Sequence, residues 1–156
     1  MLEVRRATEK DIPAIMALLV QVNMVHHNGR PDLFKGPTTK YAEDELKSIL
    51  ADDDTPVFVG VDAADRVLGH GFCVLQHSGG QLMEEHDTLY IDDICVDEAA
   101  RGLRVGRAIY EHILGHARAL GCYNVTLNVW SCNPGALRFY EKLGMAPYRV
   151  SMEQIL

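Results

Sequence analysis

Residues 88–130 constrain what this chain can fold into more than any other stretch. An apolar run at 88–96 is followed by a glycine-containing turn at 101–106, an amphipathic stretch at 104–120 and a second apolar run at 123–130. Strand, tight turn, long helix, strand is a βαβ unit. Its strands should be parallel, because only a crossover of this length lets a chain re-enter a sheet in the same direction. The crossover should be right-handed, since a right-twisted strand and a right-handed helix pack together only that way. Gly121 stands where a helix ending at 120 needs a left-handed residue.

The flanking segments complete the pattern. Residues 2–7 read as a short strand. Thr8 caps a helix running from about residue 9 to 25, with Asp11 at the capping-box distance and Pro13 in the first turn. Ile12, Ile15, Met16, Leu19 and Val22 recur at helical spacing. Residues 26–39 are polar and contain Gly29, Pro31, Gly36 and Pro37, which predicts a loop. A second helix is expected at 41–51. Runs at 55–61 and 66–76 read as an antiparallel hairpin turning at 62–65. Asn133 caps a short helix with Pro134 at its first position and Gly144 at its end. Residues 145–152 read as a last strand. The fold class is α/β, of the α+β kind: a central mixed, mostly antiparallel sheet with one parallel βαβ unit and helices on both faces. A chain of 156 residues fits one domain, 1–156, and can bury a core without disulfides.

Composition narrows the partners. A net charge of −7 argues against nucleic acid, which needs a surplus of Lys and Arg on some surface. The four cysteines, at 73, 95, 122 and 132, form no CxxC or metal-finger spacing. Cys73 and Cys95 lie in apolar runs, where a free thiol acts as a small hydrophobe, so a reduced, cytoplasmic protein is expected. The charged first residues do not read as a signal peptide, and no run reaches the roughly 20 apolar residues of a membrane helix.

Three places could carry chemistry. Arg101, Gly102, Leu103, Arg104, Val105 and Gly106 join a strand end to a helix start. Unpaired N–H groups and the positive end of the dipole gather there, and glycine lets backbone approach an anion such as a pyrophosphate. A plain βα turn accounts for the glycines equally well. The second place is Tyr140, which shares a helical face with Ala136, Leu137 and Leu143 and should point inward. A core tyrosine would do the same. The third is Asp92–Asp93, set in an otherwise apolar strand. Neighbours in a strand face opposite sides, so one of the two can aim into a given cleft, where desolvation would make it a base. Solvated or Arg-paired acids are the alternative. His112 and His116 fall within an apolar helical arc without a third ligand, so no metal site is expected. His26 and His27, in the expected loop, are candidates for contacting a substrate.

In this order and spacing, the three places resemble the GNAT superfamily of acyl-CoA N-acetyltransferases. The resemblance begins at "VRRATEKDIPAI" and is strongest over "YIDDICVDEAARGLRVGRAIYEHILGHARALGCYNVTLNVWSCNPGALRFYEKLGM". The family's loop is Q/R-x-x-G-x-G/A; Arg101 and Gly106 match its ends, and Arg104 replaces its middle glycine. The resemblance implies acetyl-CoA as co-substrate, held by the backbone of Ile94, Cys95 and Val96, by Arg101, Gly102, Leu103, Arg104, Val105, Gly106 and Arg107, and by Asn133. It implies Tyr140 as the acid that protonates the leaving thiolate and Asp92 as a carboxylate base. Cys95 is expected to pack rather than to react. The expected reaction is direct acetyl transfer to a primary amine of a small molecule or peptide. The acceptor site is expected among the first helix, the 26–39 loop and the 82–87 turn, with Glu84, Glu85, Asp87 and Asp92 suiting a cationic amine. A non-catalytic acyl-CoA-binding or sensor domain is the alternative. Family members often pair, so a homodimer is an expectation resting on the resemblance alone.

Overall fold

Strand β2 (Val57–Val61) shows how the layers are arranged. Val57, Val59 and Val61 are buried against one set of helices, while Phe58 belongs to the core on the other face. A strand buried on both faces sits at the centre of a helix–sheet–helix sandwich. The computed structural model describes residues 1–156. The sheet contains β1 (Glu3–Arg6), β2, β3 (Val67–Ser78), β4 (His86–Val96) and β5 (Asn124–Leu127), in that spatial order. The first four run antiparallel, and β5 lies parallel to β4. Helices α1 (Ile12–Gly29) and α2 (Glu43–Ala51) cover one face; α3 (Val105–Ala119) and α4 (Pro134–Lys142) lie on the other. No helix is long and apolar enough to cross a membrane.

Two cores follow from this layering. Ile12, Ile15 and Leu19 of α1 and Leu46 of α2 pack on Val57, Val59, Val61 and Phe72. Val105, Ile109, Ile113 and Ala117, spaced three or four apart on α3, pack on Phe58, Cys73, Leu89 and Ile91. Helix α3 packs close on the sheet because glycine lies beneath it. A Cβ on Gly71 would stand 2.8 Å from Ile109 Cγ2 and 2.9 Å from Ile113 Cδ1. The start of α1 is fixed by a buried acid. Asp11, 3% exposed, accepts from both terminal nitrogens of Arg5 at 2.8 and 2.9 Å and from the Thr8 amide at 2.8 Å. Burial alone would raise its pKa, but these bonds outweigh burial and hold it below the ordinary value.

The structure departs from the expected elements in three places. Helix α1 continues through His26 and His27 to Gly29, and only residues 30–42 remain outside helices. Polar residues of its last turns hold the segment that follows: Asn23 donates to the carbonyls of Lys35 and Gly36, and His27 Nδ1 lies 2.8 Å from Phe34 O. Strand β5 stops at Leu127 instead of 130. Residues 145–152 form no strand; the last main-chain bond runs from Met145 N to Tyr140 O. A strand forms only against a second row of backbone groups, and this segment meets none within its own chain.

Gly71→Ala is expected to lower stability by about 1–3 kcal/mol through overpacking under α3. The change should appear as a lower denaturant midpoint with an unchanged slope.

Candidate active site

The site starts from a missing set of hydrogen bonds. β4 pairs with β3 from Ser78↔His86 to Gly69↔Val96, but with β5 only from Thr88↔Asn124 to Ile91↔Leu127. Beyond Ile91 the two parallel strands part. The cause lies in the β3–β4 register, which skips from Cys73↔Ile91 to Phe72↔Asp93. Asp92 is the extra residue of a β-bulge, and a bulge bends its strand and increases its twist. On the side away from β3, the backbone of residues 93–96 is left without a strand partner.

Helix α3 begins beside that opening. Arg101 to Arg107, Leu103 excepted, line a cleft of about 450 Å³ with Ile94 and Val96 of β4 and Ala136, Phe139 and Tyr140 of α4. Arg104 occupies the left-handed region with φ 62° and ψ 22°, the conformation in which glycine is at ease. It therefore keeps the turn that aims the first α3 amides into the cleft. Gly106 is needed for a different reason. A Cβ there would meet Phe139 Cζ at 3.1 Å and Val96 Cγ2 at 3.4 Å, so its lack of a side chain lets α4 close against α3. The Tyr140 ring packs near Tyr110 and Phe139. Burial first, then the Asp93 charge and Tyr110, push its phenol well above the ordinary tyrosine pKa.

The bulge also changes what the adjacent acids can do. It turns both Asp92 and Asp93 toward the α1–α2 face, where strict alternation would have separated them. Asp92 is taken: Lys40 Nζ donates to its two oxygens at 2.8 and 2.7 Å, and the Tyr41 hydroxyl donates at 2.8 Å. Asp93 Oδ2 lies 2.7 Å from His70 Nε2. An ionised carboxylate only accepts, so the imidazole donates through Nε2. His70 is fully buried, and its Nδ1 has no partner. His26 lies close enough for the Asp93 charge to oppose the lowering of its pKa by burial.

A family model described as the acetyltransferase (GNAT) family matches residues 23–145. The chain belongs to this family. Among its relatives, rice glucosamine 6-phosphate N-acetyltransferase 1 is 38% identical over 63 residues, covering 40% of this chain and 36% of that protein. A mycothiol acetyltransferase of Streptosporangium roseum is 33% identical over 88 residues, covering 56% of this chain and 26% of that protein. The chain thus spans well under half the length of either relative. A solved tetramutant of the BH1408 protein from Bacillus halodurans is 30% identical, with a TM-score of 0.94 over 99% of both chains. The Arabidopsis thaliana glucosamine-6-phosphate N-acetyltransferase structure, at 21% identity and TM-score 0.73, shares the fold.

Within this GNAT domain, some residues expected at the site lie elsewhere. The Cys95 side chain faces α1, with Sγ 3.4 Å from Leu18 O, so only its backbone borders the opening. Burial, followed by the charge of Asp93, pushes its thiol up to about 12, which leaves a packing group and not a nucleophile. Leu103 is 62% exposed, outside the cleft. Asn133 caps α4, its Oδ1 accepting from Ala136 N at 3.2 Å. His112 and His116 pack edge-on to Phe58 at 4.8 and 5.2 Å. Asp87 binds His77 at 2.7 Å, about five residues of strand, roughly 17 Å, from the bulge. Glu85 is beside it, so this acidic group does not join Asp92. Sequence reasoning missed His70, a lone histidine in an apolar strand; the glycines on either side of it were the available signal.

A left-handed non-glycine residue costs about 1–2 kcal/mol, while glycine costs about 0.5–1 kcal/mol in unfolded-chain freedom. Arg104→Gly is therefore expected to leave stability unchanged or raise it by up to about 1 kcal/mol. Thermal unfolding of the cofactor-free protein checks this.

Proposed function

We propose that this chain, as one acetyltransferase domain spanning 1–156, moves an acetyl group from acetyl-CoA to a primary amine of a small molecule or peptide. The observation carrying this reading is that one cleft joins the Arg101–Arg107 turn, the unpaired β4 edge and the Tyr140 phenol. Free amides at the start of α3 suit a pyrophosphate, and Arg101 and Arg104 add positive charge beside them. Backbone groups of residues 94–96 suit the amides of a pantetheine arm, and an N–H near Val96 suits the oxygen of a thioester under attack. Relatives named for glucosamine 6-phosphate make an amino sugar phosphate the first acceptor to try. The unpaired thiols, two of them buried, suit a reducing cytoplasm.

The proton balance assigns the roles. An ammonium acceptor must lose one proton before its nitrogen attacks the carbonyl carbon. The N–C bond then forms, the C–S bond breaks, and sulfur leaves as a thiol or thiolate. Asp93 suits the first step better than Asp92, because Lys40 and Tyr41 already occupy Asp92. His70 positions Asp93 by donating to its Oδ2 through Nε2. Tyr140 suits the last step. Its raised pKa keeps the proton on oxygen across the working range, so it donates to sulfur as charge develops there. Arg104 in glycine's conformation preserves the cradle, and with an acid and base present a purely sensory role is disfavoured.

Release of free thiol from acetyl-CoA, followed over an amine panel, tests the activity. Tyr140→Phe should lower kcat by about 10²-fold or more while leaving acetyl-CoA binding by calorimetry nearly unchanged. Because the Tyr140 pKa is raised, it stays protonated up to its ordinary value near 10, so wild-type kcat should show no alkaline fall below about pH 10 from this group. Asp93→Asn should lower kcat/KM by about 10²-fold, whereas Asp92→Asn should lower it far less. If Asp92→Asn gave the larger loss, the two roles would be exchanged.

A further inference from the structure

The Lys40 ammonium is bound as a ligand would be. It donates to both oxygens of Asp92 at 2.8 and 2.7 Å, and Nζ stands 5.5 Å from the centroid of the Tyr41 ring. A carboxylate and an aromatic face both attract an ammonium. The host is fixed. Asp92 belongs to β4 and is 15% exposed, the Tyr41 hydroxyl donates to it at 2.8 Å, and the Tyr41 ring stacks on Phe72 at 5.6 Å. The guest is loose: Lys40 is 52% exposed, lies outside the helices and reaches Asp92 by a flexible four-carbon stem. An exposed ion pair of this kind is weak, so a competing ammonium can displace it.

The host stands where an acceptor would pass. Asp92 is the first residue of β4 beyond its last pair with β5, and Asp93 beside it faces the same layer. Two adjacent carboxylates on one face draw cations. One of them meets Lys40; the other meets the buried His70 imidazole. His26, whose pKa burial lowers, also feels the charges of Asp93 and Lys40, which places all three in one neighbourhood. Nearby arginines are committed elsewhere: Arg30 is tied to Asp32 and Glu153, and Arg101 and Arg104 line the cleft at the start of α3.

We propose that Asp92 and Tyr41 form an acceptor subsite for a second ammonium, so that the preferred acceptor is a short diamine and Lys40 fills the subsite until one arrives. The proposal rests on the acetyltransferase reading above and leaves its chemistry unchanged. The reacting amine gives its proton to Asp93, while the other amine stays charged on Asp92 against the Tyr41 ring. Neighbouring Cα atoms are about 3.8 Å apart, so the two amines need only a short spacer. A monoamine leaves Lys40 in place and gains nothing from Asp92. An amino sugar phosphate brings one ammonium and a phosphate, and the two carboxylates repel the phosphate.

Calorimetry of diaminobutane, with an amine at each end, against butylamine tests the subsite on the full chain without acetyl-CoA. Diaminobutane should bind about tenfold tighter, and Asp92→Asn should abolish that preference. Lys40→Met, which removes the competitor, should tighten diaminobutane by about two- to fivefold. Equal binding of the two amines, a preference that survives Asp92→Asn, or weaker diamine binding in Lys40→Met would overturn the proposal. Thiol release from acetyl-CoA with the same amines separates it from the reading on which it rests. Turnover of both amines with equal kcat/KM would overturn the subsite and leave the acetyltransferase reading standing. Preferential diamine binding with no thiol release from either amine would uphold the subsite and overturn that reading.

Discussion

One extra residue in β4 organises most of what this molecule can do. A strand must satisfy two rows of backbone groups, and β4 satisfies the row toward β3 along its whole length. The insertion of Asp92 turns the strand out of the plane it shared with β5, and the second row is abandoned after Ile91. The opening is therefore defined by main-chain geometry and not by the size of particular side chains. Helix α3 is delivered to that opening because its crossover starts where β4 ends. Its middle turns rest on Gly71, where a Cβ would collide with Ile109 and Ile113. Substitutions of side chains lining the opening can change what it prefers without closing it.

The same residue sorts two neighbouring carboxylates into different environments. Asp92 faces an ammonium and a phenol that hold it in place near the surface. Asp93 faces an imidazole with no exposed surface. Two acids adjacent in the chain thus differ in the groups that answer them, an ammonium and a phenol for Asp92 and an imidazole for Asp93. The α1–α2 layer, which supplies Lys40 and Tyr41, takes part in that sorting although it lies on the face opposite the Arg101–Arg107 turn.

The sequence revealed the parts of the fold that depend on periodicity. The βαβ unit, the antiparallel hairpins and the four helices were all legible, because Val105, Ile109 and Ile113 or Val57, Val59 and Val61 repeat at the period of their element. The turn from Arg101 to Gly106 was legible through its glycines and its place before a helix. What escaped were features set by register. Nothing in "YIDDICV" announces which residue is the bulge, so strict alternation wrongly separated Asp92 from Asp93. His70 looked like an unremarkable core residue until the register placed it opposite the bulged strand. The segment 145–152 carried a true strand pattern, but a pattern states which face is apolar and not whether a partner is present in the same chain.

Arg104 has a consequence beyond its fit to a turn. Glycine at this position would let the turn wander among several backbone wells when nothing is bound, and a ligand would have to collect that freedom into one arrangement. A residue with a Cβ, already held in the required well by the strand before it and the helix after it, has fewer wells to lose. Part of the ordering is then completed when the protein folds, so the entropic penalty of association falls. In the role proposed for this turn, the strain carried by one arginine would be a stiffness of the binding surface, and a stiff surface distinguishes more sharply between anions that match its spacing and those that do not.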